Sequence, residues 1–120
     1  MNPWVAEWMD GLEVTLARAE FVAALWAGVV AHADGDTATA TARRAEADAA
    51  RVRGQAAVTA RHANLHLPYR DQTIARIDNQ TVYPYGYLFM TDTLCYWRRE
   101  LAQLDNLLAG TDTIPPDCYF

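Results

Sequence analysis

An all-α fold, an antiparallel three-helix bundle, is what this sequence predicts, and two observations carry the prediction. Three stretches space their apolar residues alternately four and three apart, the pattern of long helices with one apolar stripe each. The composition, just over half apolar with 21 % charged over 120 residues, suits one folded domain large enough to bury a core. The expected organisation is a single helical domain over 1–110 with a C-terminal tail, 111–120, folding back on the third helix.

The first helix is expected from about Pro3, a favourable first-turn residue, to about His32. Its stripe runs through Val5, Met9, Leu12, Leu16, Ala19, Ala23, Trp26 and Val30. Ala33-Asp34-Gly35-Asp36-Thr37 reads as a turn in which Asp36 or Thr37 caps the second helix. That helix is expected to reach about Leu65, with a stripe made almost wholly of methyl groups: Ala38, Ala42, Ala45, Ala49, Val52, Ala56 and Ala63. Gly54 weakens its middle by ~1 kcal/mol relative to alanine. Side chains so small predict a close antiparallel hairpin between the first two helices, with bulk supplied by Trp4, Trp8, Phe21 and Trp26 and by the third helix. Charge agrees, since acids dominate the first helix and arginines the second; the turn places Glu7 opposite Arg61 and Glu13 near Arg53.

An ordered connection over 66–84 follows, in which Asp71 to Ile77 has the composition of a short capped helix. The third helix is expected to begin between Tyr85 and Asp92 and to end near Ala109, before Gly110. Its stripe is Tyr87, Met90, Leu94, Trp97, Leu101, Leu104 and Leu108, with Trp97 and Leu101 in the core. Measured along the third helix at 1.5 Å per residue, Cys95 lies about as far from Gly110 as an extended tail would carry Cys118. A disulfide between Cys95 and Cys118 is therefore possible on length, and Ile114, Tyr119 and Phe120 give the tail apolar groups to bury.

Several function classes are excluded or disfavoured. A net charge of −5 argues against nucleic acid, because phosphate binders show a basic patch. All ten basic residues are arginine, which fits codon usage in a GC-rich genome as well as any ligand. The chain has no serine, so serine nucleophiles are absent, and its six glycines are scattered singly rather than gathered into a phosphate loop. No histidine lies three residues after a helical glutamate, as a di-iron bundle would require. The longest apolar stretch, Phe21 to Ala31, is about half of the ~20 residues that span a bilayer, so no membrane span is expected. The N-terminus lacks a basic segment followed by an apolar run, which points to a cytoplasmic location.

Residues able to do chemistry gather between Arg61 and Glu100. His62 and His66 stand four apart, a spacing suited to two metal ligands, but alanine follows the first histidine where the familiar zinc helix has glutamate. No further ligand stands at a diagnostic spacing, so neither metal nor other cofactor is expected. Tyr69, Arg70, Tyr85, Arg98 and Glu100, with Trp4 and Trp8 at the other end of the chain, have the chemistry of a binding surface, because tyrosine, tryptophan and arginine combine a broad apolar body with a polar end. Arg70 and Arg98 together suit a carboxylate or phosphate.

Trp26-Ala27-Gly28 resembles the Trp-x-Gly turn of the small helical-hairpin proteins exported by actinobacterial secretion systems, and Tyr96 with Glu100 resembles their Tyr-x-x-x-Asp/Glu export signal. That resemblance implies an exported helical hairpin, although Trp26 falls inside the first helix here and a third helix is added. The leading expectation is a structural or interaction subunit rather than an enzyme, whose partner is another protein or a second copy of itself. The alternatives are a small-molecule or metal-binding bundle with its site between the end of the second helix and the start of the third, and the exported hairpin.

Overall fold

In a computed structural model of the chain, residues 3–64 and 94–115 are described; within them the side chains of 3, 4, 7 and 61–64 are not. They form α1 (Pro3–Ala33), α2 (Thr37–Asn64) and α3 (Cys95–Ala109), with no strand among the described residues. The protein is an all-α antiparallel bundle in which α1 packs chiefly on α2. Arg44 beside Asp105 and Gly54 beside Trp97 show that α3 runs against α2. The 66–84 connection, the short helix expected within it, and residues Tyr85, Tyr87 and Met90 lie outside the described residues.

The α1–α2 turn forms as its residues dictate. Asp36 N–H donates to Ala31 O at 2.9 Å and Gly35 N–H to His32 O at 3.0 Å, which is a Schellman closure with Gly35 at φ 76°. Asp36 then caps α2, its Oδ1 accepting from Thr39 N–H at 3.0 Å. The end of α3 repeats the device. Thr111 N–H reaches Asn106 O at 2.9 Å, and Gly110 takes φ 65°. The Asn106 side chain donates to Thr113 O at 2.7 Å and accepts from the Thr111 hydroxyl at 3.0 Å, turning the chain back beside the last helical turn.

The core is built from Val14, Ala17, Phe21 and Ala24 of α1, Ala47, Ala50 and Val58 of α2, and Leu94, Trp97 and Leu101 at α3. Trp97, only 1 % exposed, is its centre. Its ring lies 5.4 Å from that of Phe21, and its Cζ3 would stand 2.9 Å from a Cβ built on Gly54. Glycine at 54 is thus the slot into which the indole fits.

Several expectations are corrected. The stripe of α1 from Val5 to Val30 faces outward, and Trp8 and Trp26 with it; the inward face is Val14, Ala17, Phe21, Ala24 and Ala31. The methyl stripe of α2 is likewise outward from Ala38 to Ala56, while Ala40, Ala47, Ala50, Gly54 and Val58 are buried. Both helices are apolar or small on two faces, so spacing alone leaves the inward side open; α2 turns in the face whose Gly54 admits Trp97. Arg53 pairs with Glu20 rather than Glu13. Helical side chains lean toward their own N-terminus, and in an antiparallel hairpin that carries Arg53 toward the turn. Helix α3 starts at Cys95, later than expected, with Leu94 as its N-cap in the left-handed region at φ 45°. Such a residue costs roughly 1–2 kcal/mol, and the burial of the Leu94 side chain offsets that. Ile114 is 91 % exposed rather than buried in the fold-back.

Cys95 is buried and disulfide-bonded. Cys118, the only other cysteine of the chain, lies outside the described residues. The segment Trp8–Ala33 of α1 is, by length and composition, apolar enough to cross a membrane, a description that also fits a helix buried in a soluble core.

Candidate functional site: the groove and outer face of α1

Two surface features stand out, and both belong to α1. The first is a groove of about 430 Å³ between α1 and α3, floored by Phe21, Leu25 and Leu104 and rimmed by Val22, Trp26, Val29 and Leu107.

Arg18 and Glu100 close one end of the groove. The two guanidinium nitrogens of Arg18 engage both carboxylate oxygens of Glu100, with Nη2 donating to Oε1 at 2.8 Å and Nη1 donating to Oε2. The guanidinium also lies 5.5 Å from the Phe21 ring and 5.3 Å from that of Trp97, a cation–π arrangement on both. This fork-to-fork geometry commits the Arg18 charge to Glu100, and the rest of the groove lining is mostly apolar. Arg44 is held similarly: its Nε and Nη2 donate to Asp105 at 2.7 and 2.9 Å, with Asp48 a further 3.4 Å away. The hydrogen bond to Asp105 pushes Arg44 up and lowers Asp105 from the ordinary 3.8. The described arginines that bridge helices therefore work as clamps.

The second feature is the outer face of α1. Val5, Trp8, Met9, Leu12, Leu16, Trp26 and Val30 are each between 49 and 74 % exposed. They form a continuous strip with Ala19 and Ala23 between them, about 38 Å long at 1.5 Å per residue. Trp8 and Trp26 are eighteen residues apart, five full turns, so both stand on the side of α1 that borders the groove. Taking ~150–250 Å² for a whole large side chain, the strip exposes roughly 800 Å² of apolar surface. Monomers rarely show a patch above ~300–600 Å².

Of the site residues read from the sequence, Glu100 lines the groove, Trp8 lies on the outer strip, and Arg98 is exposed on α3 away from the groove's lining. Trp4 and His62 are on α1 and α2, but their side chains are among those not described; His66, Tyr69, Arg70 and Tyr85 lie outside the described residues. Among the described residues no three His, Cys, Asp or Glu side chains converge as metal ligands. Trp26 to Gly28, which resembles a Trp-x-Gly turn in sequence, is continuous helix, as its position in the first helix implied, with Gly28 packed 3.3 Å from Leu104 by its would-be Cβ. Arg18, Leu25 and Trp26 were not named as site residues. Trp26 belongs to the unbroken spacing of α1, which the sequence directs to the core, whereas Arg18 and Leu25 fall off that stripe and carry no signal of their own.

No family model matches the chain, and neither a curated protein nor a solved structure is similar to it.

Proposed function

We propose that this chain is an interaction subunit, a helical scaffold whose α1 outer face docks an apolar helical surface of a protein partner. One observation carries the reading: a strip with coiled-coil spacing lies exposed along the whole of the longest helix. A helix apolar around most of its circumference belongs inside an assembly or a bilayer, and α2 with α3 cover only one side of it. Lipid is the less suitable cover. Glu13 and Glu20 border the strip, and the arginine at that edge, Arg53, is paired with Glu20, whereas surface helices on anionic membranes carry basic flanks open to the headgroups.

Location rests on Cys95. A disulfide there suits an oxidising compartment better than the cytoplasm expected from the N-terminus. Thiol counting in denaturant, on protein alkylated as the cells are opened, separates the two.

The docking reading is tested by Leu12→Asp. Leu12 is outside the core of the single chain, so at protein concentrations too low for association the substitution is expected to shift stability by no more than ~0.5 kcal/mol while reducing the binding of an apolar dye. A chain unfolded by that change would have Leu12 inside it, and the proposal would be wrong.

A further inference from the structure

The strip on α1 is self-complementary, and we infer that its partner is a second copy of this chain, packed antiparallel about a twofold axis beside the middle of α1. The inference rests on the docking role proposed above and names the occupant. With the axis between Leu16 and Ala19, the strip pairs with itself in layers. Val5 meets the partner's Val30, Met9 meets the partner's Trp26, Leu12 meets the partner's Ala23, and Leu16 meets the partner's Ala19. Large faces small in the central layers, as packing at interior density requires. The parallel alternative sets Ala19 and Ala23 on their own copies and Trp26 on Trp26, leaving a void in the middle and an overfilled end.

The edges of the strip support the same register. Trp8, 74 % exposed, falls level with the partner's Ala27, between Trp26 and Val29, which rim the groove between α1 and α3. The molecule thus carries both an unburied indole and an apolar groove of about 430 Å³, and the twofold brings each to the other. On the opposite edge Glu13 approaches the partner's Glu20. That acid is already paired with Arg53 in its own chain, so the arginine faces two carboxylates across the interface. The exposed area, roughly 800 Å² on each copy, equals what a standard stable interface buries per partner.

Sedimentation equilibrium of the full chain, from about 0.1 to 100 μM, the weak end of the μM to pM range that such areas span, tests this. A dimer is expected. Ala19→Leu sets leucine against leucine in two symmetry-related layers and is expected to weaken the dimer at least about tenfold. Leu16→Ala with Ala19→Leu exchanges the two residues and is expected to restore it. A dimer indifferent to Ala19→Leu, or one the exchange does not rescue, overturns the register and the assignment of the face. A monomer whose Trp8 is open to acrylamide, judged against Trp8→Phe, overturns self-association but leaves the strip for a different protein. A monomer whose Trp8 is shielded has the strip covered from within its own chain, and both readings fall. Binding to anionic vesicles by the monomer also ends both.

Discussion

Gly54 is the residue on which the core turns. A methyl group there would stand 2.9 Å from Cζ3 and 3.0 Å from Cη2 of Trp97 and 3.3 Å from Leu94, in a part of the molecule where both partners are fully buried. Helix propensity alone favours Gly54→Ala by ~1 kcal/mol, whereas overpacking of a filled core costs ~1–3 kcal/mol. The steric effect is expected to win, so Gly54→Ala lowers the urea midpoint. A variant as stable as the parent, or more so, would show that the indole is free to retreat. The same substitution in a Trp97→Phe background is expected to be tolerated, because the smaller ring leaves the slot unfilled.

At the scale of the helices, the two methyl stripes of α2 now make opposite predictions. Ala47 is fully buried and Ala45 exposed. Ala47→Leu is expected to cost ~1–3 kcal/mol and Ala45→Leu to stay within ~0.5 kcal/mol; thermal melts that rank them the other way would mean that α2 is rotated by half a turn. Acid stability belongs to the same scale. The Thr39 hydroxyl and N–H hold the Asp36 carboxylate below the ordinary 3.8, and Arg44 does the same for Asp105. Both groups bind protons more weakly in the folded chain than in the unfolded one. Their contribution is complete above 3.8 and is lost as pH falls below it through the folded values. The melting temperature is expected to decline on acidification below that point. Asp36→Asn, which keeps a cap but cannot titrate, should make the decline shallower, and an unchanged slope would remove Asp36 from the account. Since Arg44 and Asp105 are both part exposed, that pair adds no more than ~1 kcal/mol.

Across the whole molecule, what could be read from the sequence was the existence of the helices and all their ends but the start of α3, and what could not was their rotation. Pro3, Gly35, Asp36 and Gly110 act locally, through backbone conformation and hydrogen bonds to near neighbours, so their effects are visible in a short window. The inward face of α1 depends on Trp97, more than seventy residues away, fitting between Phe21 and Gly54. No periodicity contains that information when both faces of a helix are apolar. Leu94 escaped for a related reason, since its left-handed conformation is imposed by burial and leucine carries no local signal for it. The groove was hidden by the same ambiguity, because Trp26 reads as core until α3 is in place. The candidate site proposed around the tyrosines and histidines falls mostly on 61–93, and the site described here was assembled from residues first assigned to packing.

The short Asp34–Gly35 turn also sets the order in which the molecule can assemble. Closing it brings α1 and α2 together across very few residues, whereas α3 must return over the thirty or so between Asn64 and Cys95, and loop-closure entropy grows with that length. Local contacts form first under such a topology. The hairpin is therefore expected to make up the folding transition state, with Trp97 entering its slot afterwards. In a chevron analysis Ala47→Gly should chiefly slow folding, and Trp97→Phe should chiefly speed unfolding. The reverse pattern would make the long-range indole contact the nucleus and the turn a late event.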